Sequence, residues 1–239
     1  MRKIRVADWF VIYVLVLGGF LGVCVFGSKM VATMDNDVQH KGRKCIIIDA
    51  GHGGVDGGTT SCSGVTESTI NLGIALRLND LLHLLGMETK MIRTTDCSVY
   101  TSGETIAAKK VSDLKERVRI VESTEKGILV SIHQNYFTQS VYSGAQVFYN
   151  RNNESVILAK NLQSNLIATV NLGSKRNVKN ATGIYLMEHV TCPAILVECG
   201  FLSNPTEDAL LQDPDYQKKL CCVIASTLSE FVNSPGSIT

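Results

Sequence analysis

The sequence lacks a charge imbalance, proline-rich stretches and internal repeats. Lysine and arginine number 23 against 22 aspartate and glutamate, so a net charge of +1 gives no basic field of the kind that nucleic-acid-binding proteins use. With 4 prolines and 20 dispersed glycines in 239 residues, the composition does not fit a disordered or collagen-like chain. We therefore expect a folded domain of ordinary size and no nucleic-acid partner.

The 8 cysteines lack the spacing of a cysteine-based metal or redox motif, because no C-x-x-C pair occurs. Cys45 and Cys199 lie in or beside apolar runs, where cysteine is usually a small buried side chain. Cys62 and Cys97 lie in loop-like sequence and could pair in an oxidising compartment. The sequence leaves that pairing open.

The N-terminal part contains an uncharged apolar segment at residues 9–27. A helix of this length approaches the roughly 30 Å thickness of a membrane's hydrocarbon core. Basic side chains within residues 1–8 favour a cytoplasmic N-terminus by the positive-inside rule. Because no clean small-residue cleavage site follows, we favour an uncleaved signal-anchor over a cleaved signal peptide. In both cases the rest of the chain is exported, and residues 28–43 form a polar linker.

Short apolar runs alternate with amphipathic stretches over residues 44–234. Continuous apolar runs are typical of strands buried on both faces of a sheet, and they occur at 45–48 and 194–197; the mostly apolar segment 128–132 is also predicted to be a strand. Apolar residues at helical spacing predict helices, and these lie at 71–85, 111–122, 155–170 and 216–232. We also expect a strand at 183–187. Strands that alternate with helices predict a single α/β domain with a largely parallel sheet, followed by a tail at 235–239.

Three of the most apolar strands are followed by a polar side chain, the first of them after the intervening residues 49–51. The first leads into His52, the second into His133 and the third into Glu198. Ligands bind at the carboxyl ends of strands in open α/β sheets, so neighbouring strands would bring two imidazoles and a carboxylate together. Taken alone, a histidine after a strand is more often an ordinary hydrogen-bonded loop residue, and Glu198 could simply pair with a lysine.

Glu67 stands just before the next predicted helix, with Thr66 as a possible N-cap. Its carboxylate could interact with the helix dipole or act as a third metal ligand. Two histidines and one carboxylate suit hydrolytic zinc and also non-haem iron. The glycine-rich loop at 51–58 lacks the Gly-Lys-Ser/Thr ending of a phosphate-binding loop, which argues against a nucleotide site.

Several ordered strings at these positions resemble the zinc-dependent N-acetylmuramoyl-L-alanine amidases, a family of peptidoglycan hydrolases. The resemblance extends from about residue 44 to residue 232 and rests on IIIDAGHGGVDGG, TESTINLGIALRL, MIRTTD, DLKERV, ILVSIHQN, GAQVFY and AILVECGFLSNP. It implies a twisted, mostly parallel sheet of about six strands with helices on both faces. The segment 183–193 and the insert before Asp113 further resemble the amidases that modify spore cortex.

The resemblance also implies the site and the substrate. Zn²⁺ would be held by His52, Glu67 and His133, with Glu198 as the catalytic carboxylate. The substrate would be peptidoglycan, cleaved at the amide between N-acetylmuramic acid and L-alanine. Asn135, two residues beyond His133, is a candidate substrate-binding residue, although asparagine is also common in turns.

Two departures from the family pattern affect the expected metal site. Ala50 stands where a proline is usual, and Ser68 where lysine is common. Both could loosen the surroundings of the ligands, so we expect weak zinc binding by the isolated protein and an activating accessory protein that orders the site. Arg93 and Arg117 are expected to pair with carboxylates.

These features predict a membrane-anchored zinc amidase whose catalytic domain at 44–234 faces an extracytoplasmic space. The forespore intermembrane space is one candidate compartment, and secretion after signal cleavage is the alternative. A catalytically weak wall-binding or scaffolding protein on the same fold is the competing function. A non-haem iron oxygenase conflicts with the alternation of strands and helices.

Overall fold

The computed structural model describes residues 43–234 of the 239-residue chain. They form one α/β unit with six strands and six helices. In chain order the elements are β1 (Cys45–Ala50), α1 (Glu67–Leu84), β2 (Glu88–Met91), α2 (Ile106–Glu122), β3 (Gly127–Asn135), β4 (Gln146–Tyr149), α3 (Asn153–Thr169), β5 (Lys179–Asn180), α4 (Tyr185–His189), β6 (Ala194–Phe201), α5 (Pro205–Gln212) and α6 (Pro214–Asn233).

The strands form a single sheet in the order β2-β1-β3-β6-β4-β5. All neighbouring pairs are parallel except β4 with β6, which is antiparallel. The prediction of a mostly parallel six-stranded sheet is therefore confirmed. Because β1, β3 and β6 are adjacent and parallel, their carboxyl ends meet at one edge of the sheet.

Helices cover both faces of the sheet. Alternate strand residues point to opposite sides, so each strand supplies side chains to both faces. Ile46 and Ile48 of β1 pack into a core with side chains of α1, α3 and α6, whereas Ile47 packs into a second core with side chains of α2 and α4. All three isoleucines are fully buried. Burial on both faces explains why this strand reads as a continuous apolar run.

The prediction of a strand at 183–187 is wrong. Gly183 adopts a left-handed backbone with φ 82°, and the short helix α4 begins two residues later. Leu186 and Met187 are consecutive and both buried, which a helix allows and a half-buried strand does not. The short strand β5 precedes this turn instead, pairing with β4.

No helix within residues 43–234 is long and apolar enough to cross a membrane. The predicted signal-anchor at 9–27 and nearly all of the linker predicted at 28–43 lie outside the described residues, as does the tail at 235–239. The seven cysteines among the described residues are free. Cys62 donates its thiol hydrogen to Asp208 (Sγ–Oδ2 3.1 Å) rather than forming a bond with Cys97.

Candidate metal centre

Three side chains from separate elements meet at the carboxyl edge of the sheet. His52 follows β1, Glu67 is the first residue of α1, and His133 lies near the end of β3. One ligand atom from each lies within 4.8 Å of the other two. Glu67 joins both imidazoles: its Oε2 is 3.3 Å from Nε2 of His52, and its Oε1 is 3.1 Å from Nδ1 of His133. The structure thus brings the three predicted ligands together.

Two glycines allow this close packing. A Cβ atom on Gly51 would lie 2.3 Å from ring atoms of His133, closer than real contacts permit. Gly58 has a φ of +68°, and a Cβ there would lie 2.7 Å from both Oε2 of Glu67 and Cδ2 of His52. The glycine-rich loop therefore serves the packing of side chains at this site, by close approach and by a left-handed turn.

Glu67 is buried and held by donors from three directions. Its Oε2 accepts from the backbone N–H of Thr59 (3.1 Å), and its Oε1 accepts from the backbone N–H of Gln134 (3.1 Å) and from the Asn71 amide (3.3 Å). Burial alone would raise the pKa of Glu67, but hydrogen bonds and charge from His133 and His52 hold that pKa far below its usual range. The carboxylate is therefore ionised and fixed in orientation.

His52 is also held by a second carboxylate. Its Nδ1 lies 2.9 Å from Oδ2 of Asp56. Burial works to lower the pKa of His52, but the hydrogen bonds and charges of Glu67 and Asp56 outweigh it and raise the pKa to about 9. Asp56 is a residue that the sequence reasoning missed, although its place in the string GHGGVDGG, four residues after His52, was a usable signal.

This arrangement fits a zinc ion. Two imidazole nitrogens and one carboxylate oxygen converge, which is the three-ligand set of hydrolytic zinc sites. The carboxylate carries the negative charge that a divalent cation needs. The outer nitrogen of His52 contacts a carboxylate, as is usual for metal-bound histidine. The same donor set would also accept iron, so the residues alone do not name the metal.

Glu198 lies beside these ligands. In the β3–β6 pairing its Cα is the register partner of His133. Its Oε2 is buried and has no hydrogen-bond partner within residues 43–234. Burial raises the pKa of Glu198 to about 7, and Glu67 contributes in the same direction, whereas His133 and His52 oppose the increase. A carboxyl with this pKa can both accept and release a proton near neutral pH.

Asn135 ends β3, opposite Phe201 of β6, after an irregularity in the register that follows His133. Its backbone carbonyl accepts a hydrogen bond from the N–H of Leu202 (2.8 Å). This places Asn135 at the same edge of the sheet as the three converging side chains.

Two buried arginines support the segment that precedes His52. Arg117 pairs with Asp49 and with Asp113, as expected from the sequence. The expectation that Arg93 pairs with a carboxylate is wrong: it donates to the backbone carbonyls of Ala50 (2.8 Å), Gly51, Ser68 and Thr95. A five-donor guanidinium can satisfy several carbonyl oxygens at once.

The two departures from the family pattern lie inside this network. The carbonyl of Ala50 accepts from both Arg93 and Arg117. Ser68 is buried; its N–H donates to the carbonyl of Gly57 (3.1 Å) and its own carbonyl accepts from Arg93 (2.9 Å). Hydrogen bonds to the backbone therefore restrain both positions.

Comparisons with known proteins identify the family of the chain. The family profile described as N-acetylmuramoyl-L-alanine amidase matches residues 46–230. The germination-specific N-acetylmuramoyl-L-alanine amidase of Bacillus subtilis (strain 168) is 35% identical over 195 residues, which is 81% of each chain. The CwlD amidase from Clostridioides difficile, solved in complex with the GerS lipoprotein, superposes with a TM-score of 0.76 at 38% identity, over 79% of this chain and 98% of that one.

A second solved structure, the N-acetylmuramoyl-L-alanine amidase from Clostridium difficile 630, is 29% identical with a TM-score of 0.71, over 81% of this chain and 99% of that one. The residues that the family profile matches, 46–230, contain every residue of the candidate site and every strand of the sheet apart from Cys45, the first residue of β1. The chain therefore belongs to the N-acetylmuramoyl-L-alanine amidase family.

Proposed function

We propose that the protein is a zinc-dependent amidase that hydrolyses the bond between N-acetylmuramic acid and L-alanine in peptidoglycan. The observation that carries this proposal is the convergence of His52, Glu67 and His133 beside an unpartnered carboxyl oxygen of Glu198. This combination offers three metal ligands and one proton carrier at the same edge of the sheet.

The mechanism divides the chemistry between the metal and the chain. When bound, zinc would supply Lewis acidity towards the scissile carbonyl and would lower the pKa of a water molecule. His52, Glu67 and His133 would hold the ion. Glu198 would accept the proton of the attacking water and deliver it to the departing amide nitrogen, because an amide anion is a very poor leaving group. A pKa of about 7 suits Glu198 to both transfers near neutral pH.

The natural target in this proposal is spore cortex. The segment 183–193 resembles cortex amidases, and the Bacillus subtilis relative is named as germination-specific. Removal of stem peptides from cortex would be a step towards muramic-δ-lactam and germination. The catalytic domain would comprise residues 44–234 and would be held at the outer side of a membrane by residues 9–27, through the linker at 28–43. Asn135 would contact substrate at the end of β3.

An accessory protein is the second part of the proposal. The similar CwlD amidase was solved in complex with the GerS lipoprotein. Ala50 replaces a proline that would stiffen the segment before His52, so that segment depends on hydrogen bonds from Arg93 and Arg117. A lipoprotein-like partner on the same side of the membrane would be able to stabilise it.

The test is release of stem peptides by the full-length protein from purified cortex and from vegetative peptidoglycan. Each released peptide should begin with a new L-alanine amino terminus, and release should stop with a chelator and return with zinc. Glu198→Gln should abolish release, whereas Glu230→Gln, an exposed carboxyl on α6, should not. Binding to peptidoglycan with no release in the presence of added zinc and partner would instead support the wall-binding alternative.

A further inference from the structure

Helix α2 lies beside the loop that carries His52, and its side chains contact that loop at two places. Lys110, Asp113 and Arg117 are spaced by three and four residues, so they share one face of the helix. Lys110 reaches the side chain of Asp56, and Arg117 reaches the backbone of His52. Because α2 packs on the opposite side of the sheet from α1, it adds contacts to His52 that α1 does not provide.

The backbone at His52 needs external support. Its φ of 61° is left-handed, a conformation that residues with a Cβ atom rarely adopt. Arg117 donates from Nη2 to the carbonyl oxygen of His52 (2.8 Å). Arg117 is itself buried and fixed by its pairing with Asp49 and Asp113. The helix therefore holds the main chain of a proposed zinc ligand in a strained conformation.

The imidazole ring is held through Asp56. Oδ2 of Asp56 lies 2.9 Å from Nδ1 of His52, and Oδ1 lies 2.8 Å from Nζ of Lys110. A carboxylate next to Nδ1 favours the tautomer that carries its proton there, which leaves the lone pair on Nε2. Nε2 is the nitrogen that faces Glu67, at 3.3 Å from Oε2. The Asp56 carboxylate, whose Oδ1 also accepts from the backbone N–H of Gly58 (3.4 Å), therefore points the metal-binding nitrogen at the site.

We propose that Asp56 and Lys110 are positioning residues, through which α2 fixes the tautomer and ring orientation of the zinc ligand His52. This inference rests on the proposed zinc site and goes beyond it by giving α2 a part in metal binding. It predicts that a substitution at Lys110, an exposed residue that is not one of the three proposed ligands, alters the affinity for zinc. Lys110 is suited to the test because its side chain is 47% exposed and its replacement leaves the core intact.

The experiment measures zinc affinity by titration of the full-length, metal-depleted protein with zinc alone. Asp56→Ala should lower the affinity about 10- to 100-fold, the range usual for loss of an outer-shell partner. Lys110→Met should lower the zinc affinity by a smaller factor. Lys110→Arg, which keeps the positive charge, should bind zinc like the unmodified protein. Lys109→Met is the matched control, since the Lys109 ammonium lies over the Tyr100 ring (5.2 Å to its centroid) instead of on Asp56. This control should bind zinc like the unmodified protein.

A second readout separates positioning from general stability. Nitrogen-15 shifts of the His52 ring in the zinc-loaded protein should report one tautomer, protonated at Nδ1, in the unmodified chain. Asp56→Ala should show a mixture of tautomers or a shift of the metal to the other nitrogen. A loss of affinity with the tautomer unchanged would assign Asp56 a purely structural role and overturn the proposal. If Asp56→Ala does not fold, Lys110→Met and its control decide the affinity question.

The outcomes also distinguish this proposal from the proposed function. Zinc affinity unchanged in Asp56→Ala and Lys110→Met would overturn the positioning role while leaving the amidase assignment untouched. Retention of full zinc affinity by His52→Ala would overturn the positioning role and the proposed metal site together. Affinities and tautomers that follow the expected order, in a protein that releases no stem peptide, would support the positioning role and reject the proposed function.

Discussion

His133 and Glu198 are register partners on the adjacent parallel strands β3 and β6. Neighbouring strands lie about 4.8 Å apart, so the sheet itself sets the separation of these two backbones. A proposed metal ligand and a proposed proton carrier are therefore held together without an intervening loop. The same placement buries the Glu198 carboxyl, and burial raises its pKa to about 7.

Replacement of Glu198 by glutamine should separate metal binding from catalysis. Glu198→Gln keeps the size of the side chain but removes its ability to accept and release a proton. We expect unchanged zinc affinity and a rate of peptide release lowered by at least about 100-fold. Zinc titration and the appearance of L-alanine amino termini measure the two effects. A Glu198→Gln variant with normal activity would show that another group moves the proton.

Gly58 should be intolerant of a side chain because of what surrounds it. Gly58→Ala would place a Cβ 2.7 Å from Glu67 and His52, and we expect a large loss of zinc affinity together with about 1–3 kcal/mol of destabilisation. Gly86→Ala is the control: its φ of +70° is nearly the same, but nothing lies within 4 Å of the added atom. Both variants should show backbone strain in thermal unfolding, and only Gly58→Ala should lose zinc. Equal zinc affinities in the two would contradict the packing argument.

Zinc should stabilise the folded domain through the three converging residues. At a free zinc concentration of 100 times Kd the stabilisation is about 2.7 kcal/mol, which corresponds to an increase in Tm of roughly 5–10 °C for a domain of this size. His52→Ala should abolish most of the increase. His189→Ala, at an exposed histidine stacked on Tyr185, should retain it. Calorimetric scans with and without a chelator provide the comparison. A full zinc-dependent increase in Tm in His52→Ala would count against the proposed ligands.

Acid should weaken the domain through Asp49. Burial opposes ionisation of Asp49, but Arg117, His133 and Ser131 outweigh it and hold the pKa of this carboxyl below its usual value. A lowered folded-state pKa stabilises the protein above the unfolded value of about 3.9, and this contribution is lost as pH falls through the folded pKa.

Asp49→Asn should therefore lower the free energy of unfolding by about 3 kcal/mol at neutral pH, because it leaves Arg117 with one carboxylate fewer. The difference between variant and unmodified protein should shrink below about pH 4. Urea unfolding at several pH values measures it, and Asp215→Asn, at an exposed pair with Lys218, provides a control that should change little. If the loss in free energy of unfolding caused by Asp49→Asn stayed the same at every acidic pH tested, the lowered pKa of Asp49 would be refuted.

The sheet edge was predictable because the strands that form it are buried on both faces. The runs at 45–48 and 194–197 are apolar throughout, and 128–132 is apolar apart from the buried Ser131; the candidate site residues follow within four residues of the end of each run. Parallel pairing then places those polar residues at one edge of the sheet, so the sequence alone is enough to group His52, His133 and Glu198. Glu67 needed the additional signal of a helix start.

The supporting contacts were not predictable to the same degree. Asp56 and Lys110 are separated by a helix and a strand in the sequence, and their contact depends on the course of the loop before α2. Arg93 binds carbonyl oxygens, which every residue possesses, so its partners leave no pattern in the sequence. The strand expected at 183–187 failed because five residues are too few to distinguish a helical turn from a strand by periodicity.

The central claim is that the ion held by His52, Glu67 and His133 supports hydrolysis of the muramoyl–L-alanine amide. The most direct test is a titration of metal-depleted full-length protein with zinc, following the rate at which new L-alanine amino termini appear in peptidoglycan. We predict a rate that increases with added zinc along a single-site saturation curve, and no increase in a Glu67→Gln variant. Equal rates with zinc and with excess chelator, or full activity of Glu67→Gln, would contradict the account.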